Sequence, residues 1–248
     1  MSDRLSQIVT LLNERGFLSI SETAEFFQVT TMTVRRDLKK LEDSGYIYQV
    51  KNGAIPRPRL AIGQYNSEQP TVKHLLAREL IKILSPRDVI LLSAGSTALA
   101  CAQVLAAVNA ELTVLTYSLP IASALFQSRC HVILLGGELR NNSQDILGPL
   151  TEENLKNYHV NYLITGCDGA DSETGFFTTD LNLANLEKIS VGIADQVVVV
   201  TESKKFKQKS LVRFLALDDT DILITDKRLN TVDQQQLLRH QSLRTVLI

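Results

Sequence analysis

A chain of 248 residues, 44% hydrophobic and 21% charged, has room for two domains of ordinary size and the composition of a folded globular protein, not a disordered one. No stretch approaches the ~20 consecutive apolar residues that cross a bilayer, and the opening MSDRLSQIV has no basic segment followed by an apolar one, so a cytoplasmic protein with no membrane partner is expected. The formal net charge of −1 excludes a uniformly basic or acidic chain, yet residues 1–34 hold two basic against four acidic side chains and residues 35–59 hold seven against three, a local positive footprint that suits a nucleic acid.

Leu5, Ile8 and Leu12 share one helical face, and Gly16 is a stop signal, which predicts a first helix. Ser19 or Ser21 can cap a second, whose apolar stripe of Ile20, Ala24 and Phe27 runs to Gln28. After a very short connection comes TTMTVRRDLKKLEDSG, residues 30–45. Val34, Leu38 and Leu41 fall at i, i+4 and i+7 and face a core, which turns Arg35, Arg36, Lys39 and Lys40 to the other side.

Two short amphipathic helices joined by a tight turn have the helix-turn-helix form, whose second helix enters the DNA major groove. Residues near that helix's N-terminus reach base edges and basic residues further along meet phosphate. Thr31, Met32, Thr33, Arg35 and Arg36 are therefore candidates for base-edge or nearby backbone contact, and Lys39 and Lys40 for phosphate. The alternating YIYQVKNGAI that follows predicts a small hairpin with Asn52-Gly53 at the turn and Lys51 at its tip, a basic wing beside the reading helix.

These residues carry a resemblance. Residues 1–59 are similar to the DNA-binding domain of the DeoR family of bacterial transcriptional regulators, whose hallmark is a Ser or Thr, two residues, then T-[IV]-R-R-D-L. Here that run is Thr30 through Leu38, with the expected Leu41 and Gly45. The wing departs from the family, which usually has an arginine and a histidine before a Gly-Gly pair where this chain has Gln49, Lys51 and Asn52-Gly53.

AIPRPRLAIGQYNSEQP, residues 54–70, holds three of the six prolines and shows no period, as a linker would. Arg57 and Arg59 within it are expected to be solvated. The expected organisation is a DNA-binding domain over 1–56, a linker over 57–70 and a second domain over 71–248.

From Thr71 onward helical stretches alternate with the apolar runs 89–92, 112–116, 131–135, 161–165, 197–200, 221–225 and 244–248. Continuous apolar strands with crossover helices imply a doubly wound, mostly parallel α/β sheet covered on both faces, so the whole chain reads as a small winged helix-turn-helix joined to a larger α/β domain. Ligands of such sheets bind beyond the carboxyl ends of the strands.

Four loops leave those ends. They are Ser93-Ala94-Gly95-Ser96-Thr97, Gly136-Gly137-Glu138, Gly166 to Asp171, and Thr201 to Phe206. Glycines permit close backbone approach, amides and hydroxyls at a helix start wrap phosphate, carboxylates accept from sugar hydroxyls, and lysine meets phosphate or a carbonyl. Ser93, Gly95, Ser96, Thr97, Gly136, Gly137, Asp168, Asp171 and Lys205 are the candidate effector-binding residues, and together they outline a site for a phosphorylated sugar or related metabolite.

The order of these loops over residues 71–226 resembles the effector domain of the same family, which is similar in fold to ribose 5-phosphate isomerase. The family usually has aspartate at Ser93, asparagine at Tyr117 and aspartate at Glu202, while Lys205 fits its S-K-F lysine. The resemblance implies a transcriptional regulator, most often a repressor of carbohydrate genes, that binds double-stranded operator DNA as a homo-oligomer, a dimer or tetramer.

A rival reading is a working sugar-phosphate isomerase with an accessory DNA-binding domain, in which Glu187 would be sought as general base. Its predicted helical position places it at the surface by default. Cys101, Cys130 and Cys167 are scattered without a CxxC pair, and the four histidines lack ligand spacing, so neither a metal nor a cofactor is expected.

Overall fold

The computed structural model describes residues 3–43, 46–56, 70–240 and 242–248, and the chain divides into two compact units, residues 1–61 and 62–248. Gly45, Arg57, Arg59 and most of the expected linker lie outside the described residues.

The first unit runs α1 (Asp3–Arg15), β1 (Leu18–Ser19), α2 (Ile20–Phe26), α3 (Thr31–Asp43), β2 (Ile47–Val50) and β3 (Gly53–Pro56). The predicted stripes close on one another: Ile8, Leu12, Ala24, Val34, Leu38, Leu41 and Ile47 make its core. Ser19 is the cap of α2, its Oγ accepting from Glu22 N at 3.1 Å. The helix ends two residues before the predicted Gln28, because Gln28 turns to φ 51° and the Val29 amide closes back on the Ala24 carbonyl.

β2 and β3 form the predicted hairpin, but its two-residue turn is Lys51-Asn52 and not the expected Asn52-Gly53, because Gly53 pairs with Val50 and Asn52 takes a φ of 69°. β1 adds a third strand in the order β1-β3-β2. Two residues are too few to show a period in sequence.

The second unit contains α4 (Val72–Ile81), β4 (Val89–Leu92), α5 (Ser96–Ala107), β5 (Thr113–Thr116), α6 (Leu119–Leu125), β6 (His131–Leu134), β7 (Glu138–Leu139) and β8 (Ile146–Leu147). It continues with α7 (Pro149–Leu155), β9 (Val160–Thr165), β10 (Gly169–Asp171), β11 (Gly175–Thr178), α8 (Leu181–Val191), β12 (Ala194–Val200) and a 3₁₀ turn over Ser203–Lys207. β13 (Val212–Leu215), β14 (Ile222–Thr225), α9 (Thr231–Leu237) and β15 (Arg244–Leu247) complete it.

All seven predicted strands join one parallel sheet in the order β15-β14-β12-β9-β4-β5-β6. Successive residues point to opposite faces. Ile90, Leu92, Val198 and Val200 pack under α4, α5 and α6, while Leu91, Val197 and Val199 pack against residues of α7, α8 and α9. Both faces are covered, and the fold is the doubly wound one that the apolar runs predict.

Two small antiparallel sheets, β7-β8 and β10-β11-β13, occupy segments that the sequence presents as loops.

Within the RRDL run, the charged residue that faces inward is Asp37. Its side chain is nearly buried and accepts from Arg4 Nε at 2.8 Å, with Arg4 Nη2 at 2.7 Å from the same oxygen. A charge-assisted pair thus ties α3 to α1. Replacing Asp37 with Ala removes the tie without altering the outer face of α3. The expected cost is about 1–3 kcal/mol of this unit's stability, measured as a lowered midpoint in denaturant unfolding; an unchanged midpoint would show that the pair contributes nothing.

Candidate functional site

On α3 the outward side chains fall at the spacing of one helical face: Met32, Arg35, Arg36 and Lys39, with Thr31 and Lys40 at its margins. All six are exposed, and Met32 retains 73% of its surface. Arg35, Arg36 and Lys40 make no ion pair among the described residues, so their charge is available to an anion. Lys39 instead meets Asp43 at 3.1 Å and Glu42 at 3.5 Å, which weakens it as a phosphate ligand.

Thr33 is held by the helix start. Its amide donates to Thr30 Oγ1 at 3.2 Å and its own hydroxyl lies 3.0 Å from the same oxygen, so its first role is capping rather than base contact. Lys51 stands exposed at the hairpin tip as expected.

The second site follows from the order of the large sheet. From β4 the chain proceeds to β5 and β6 on one side, and from β9 to β12, β14 and β15 on the other. The crossovers therefore diverge between β4 and β9, and their carboxyl ends are left open, the position at which doubly wound sheets bind ligands. A cleft of about 550 Å³, its open mouth included, lies there.

Its walls bring together Gly95, Ser96, Thr97, Asp168 and Lys205 from the sequence-derived set, with Lys73, Cys167 and Glu187. Gly95 precedes α5 at φ 99°, a backbone state that favours glycine. The first amides of α5 have no partner within the helix, its opening residues line the cleft, and Lys73 Nζ reaches Ser96 Oγ at 2.8 Å. Asp168 Oδ2 accepts from Thr178 Oγ1, Thr179 N and Thr179 Oγ1 at 3.0–3.1 Å, while Lys205 Nζ reaches the Asp168 carbonyl at 3.3 Å.

Lys205 owes its place to Asp226. This carboxylate accepts from Ser203 N and Ser203 Oγ, both at 2.8 Å, and fixes the start of the 3₁₀ turn. Partial burial would raise its pKa, but the donors Arg228 and Ser203 outweigh that and hold it at about 2.

Four of the sequence-derived candidates fall elsewhere. Gly136 and Gly137 shape the exit from β6: a Cβ on Gly137 would stand 1.9 Å from Thr151 Oγ1, so that glycine is required by the passage of α7. Asp171 closes the β10-β11 turn, accepting from Thr174 N at 2.8 Å and pairing with Lys209 at 3.0 Å. Ser93 is wholly buried under the cleft, its Oγ 3.0 Å from Thr165 Oγ1.

Glu187, expected at the surface, is buried at 3% exposure. Its Oε1 accepts from Tyr117 OH at 2.8 Å and from Thr165 Oγ1 at 3.1 Å, and Oε2 is buried without a partner. Burial raises its pKa to about 7 against the lowering effect of the Tyr117, Ser93 and Thr165 hydroxyls. Cys167 is uncharged wall, its thiol pushed by burial to about 12. Among the described residues no cluster of His, Cys, Asp and Glu is arranged to hold a metal, and no helix is long and apolar enough to cross a membrane.

Lys73 comes from α4, 20 residues before the loop it serves, and nothing in its neighbours signals that. For Glu187 the signal was its helical spacing from Leu183, Ala184 and Ser190, off the exposed stripe of Asn182, Asn185 and Lys188.

The raised pKa carries a stability consequence. Between the ordinary carboxylate value of 4.5 and about 7 the native state holds a proton that the unfolded chain has lost, so this group's contribution falls as pH rises through that window. Glu187→Gln is expected to flatten that part of the melting temperature against pH between pH 5 and 7.5; a profile parallel to wild type would contradict the assignment.

Comparison with known proteins matches two family models to this chain. The DeoR-like helix-turn-helix domain matches residues 4–56 and the DeoR C terminal sensor domain matches residues 68–227. The chain is 31% identical over 242 residues to the uncharacterised HTH-type transcriptional regulator YulB of Bacillus subtilis, covering 96% of this chain and 93% of that protein. It is 28% identical over 232 residues to the lactose phosphotransferase system repressor of Streptococcus mutans, covering 90% and 91%.

Among solved structures, ribose 5-phosphate isomerase A of Methanocaldococcus jannaschii aligns at 19% identity with a TM-score of 0.40, covering 54% of this chain and 53% of that one. The matched domains are those of regulators and not of enzymes. With both domains matched in order, the chain belongs to the DeoR family of DNA-binding transcriptional regulators.

Proposed function

We propose that this protein is a repressor of carbohydrate metabolism genes whose operator affinity is set by a phosphorylated sugar or related metabolite in the sensor cleft. The observation that carries the reading is the convergence, at one strand-end cleft, of the amides that open α5 with Lys73, Lys205 and Asp168. A helix N-terminus with two ammonium groups favours a phosphate, and a carboxylate beside it favours sugar hydroxyls. The Streptococcus mutans relative, by name a lactose phosphotransferase system repressor, supports the same direction.

The DNA-binding part is residues 1–56, the linker 57–70 and the sensor 71–248, acting in the cytoplasm. The functional form is a homo-oligomer, a dimer or tetramer, because one short helix and wing give limited affinity and paired half-sites supply the rest. The effector changes operator binding only to the extent that it prefers one of the DNA-competent and incompetent states over the other.

Arg35→Ala or Arg36→Ala is expected to lower specific operator affinity by about 1–3 kcal/mol, roughly 5- to 150-fold, and Lys40→Ala to weaken all sequences alike while reducing the salt slope by about 1. Titration of labelled DNA at several salt concentrations checks both; unaltered affinity in the arginine variants would remove α3 as the reading helix. Lys205→Ala is expected to shift the effector dose curve with effector-free DNA affinity unchanged. An identical curve would exclude Lys205 from the site.

A further inference from the structure

Glu187 is the one ionisable group in the cleft that is wholly enclosed and half unsatisfied. Its two oxygens are unequal. Oε1 takes two hydroxyl donors, Tyr117 at 2.8 Å and Thr165 at 3.1 Å, and Ser93 in turn donates to Thr165 at 3.0 Å. An oxygen that accepts twice is the carbonyl-like one, so a proton on this side chain resides on Oε2. Oε2 has no partner, and leaving a buried polar atom unpaired costs about 1–3 kcal/mol. Oε2 has no open surface, so a ligand in the cleft that Glu187 lines relieves that cost through a turn of the carboxyl group toward it.

The surroundings favour the protonated state. Tyr117 is itself fully buried with its pKa driven well up, first by burial and then by the Glu187 charge, so it remains a phenol and a donor. Asp145, next to β8, adds like charge and raises Glu187 further. Of the other elements on α8, β13 carries Arg213 and β12 carries Asp195, both at the surface, and α7 carries Glu152 and Glu153 on its outer side. Across the cleft Asp168 and Lys205 oppose each other's sign, with Lys73 at the rim.

Resting on the effector reading above, we infer that Glu187 is the specificity-determining residue of the cleft: its Oε2 donates a hydrogen bond to a carbonyl or carboxylate oxygen of the ligand. The ligand class is then a phosphorylated sugar acid or open-chain keto or aldehydo sugar phosphate, preferred over the matching polyol phosphate. A donor without an acceptor is left buried and unpaired by a ligand that lacks that oxygen, and this is the strong form of discrimination. Ionisation of Glu187 removes the preference, since a carboxylate no longer donates to the acid's oxygen.

The probes are 4-phosphoerythronate and erythritol 4-phosphate, which share the phosphate and differ in a terminal carboxylate against a hydroxymethyl group. Calorimetric titration of the full chain from pH 6 to 8.5 gives the ratio of their affinities, from which the common phosphate titration cancels. In wild type the acid is expected to bind at least tenfold tighter at pH 6, with the ratio falling toward unity above pH 7. In Glu187→Gln, whose amide is a permanent donor, the preference for the acid persists and no longer varies with pH.

Equal affinities at pH 6, a preference for the polyol, or a ratio in wild type that ignores pH would overturn the assignment of Glu187 while leaving a phosphorylated effector in place. Binding of neither probe, with operator affinity also indifferent to both, would overturn the effector reading together with it.

Discussion

The cleft exists because two adjacent parallel strands send the chain away in opposite directions. β4 and β9 are hydrogen-bonded neighbours, but the connection after β4 leads to β5 and that after β9 leads toward β12. Right-handed crossovers on opposite faces cannot cover the strand ends between them, so the sheet's own connectivity leaves a crevice there. Everything that touches a ligand in this account is arranged around that opening: the α5 amides leave one strand end, Gly166 to Asp168 leave the other, and Lys205 arrives from the next strand along. The hydrophobic layers on either face keep the strand ends fixed, and local contacts such as Asp226 with Ser203 and Asp168 with Thr178 and Thr179 then set the polar groups.

The first unit solves a different problem with the same separation of roles. One side of α3 is committed to the core and to Arg4 through Asp37, which leaves the opposite side to be exposed, basic and rigid. Charge on that side is not uniform in value. Lys39 is partly neutralised by its own helix, whereas Arg35, Arg36 and Lys40 remain open to phosphate or base. A rigid helix with unpaired guanidinium groups loses little freedom on entering a groove, which is where its affinity arises.

Much of this was legible in sequence, for reasons that differ by residue. The stripes of α1, α2 and α3 and the seven apolar runs reflect burial with a fixed period, and burial acts locally. The strand-end rule then led to Gly95, Ser96, Thr97, Asp168 and Lys205. It also gathered Ser93, Gly136-Gly137 and Asp171, which do not line the cleft, because a buried serine, a glycine pair demanded by a passing helix and an aspartate closing a turn have the same composition as ligand loops. Lys73 and Glu187 escaped because their role depends on long-range placement. In particular, Glu187 departs from the rule that charged residues stay outside unless paired; Tyr117, 70 residues away, provides the pairing, at a position where the family usually has asparagine. Such departures from sequence-level expectation concentrate at functional or strained sites.

The central claim is that one chain couples operator reading to a phosphorylated ligand. The most direct measurement is binding of the purified protein to its own upstream DNA at fixed salt, repeated across a panel of sugar phosphates and phosphorylated sugar acids. The account predicts specific binding that one chemical subset of the panel weakens or strengthens, with non-phosphorylated counterparts inert. Specific binding that no phosphorylated compound alters, or no preference for the upstream DNA over unrelated duplex, would contradict it.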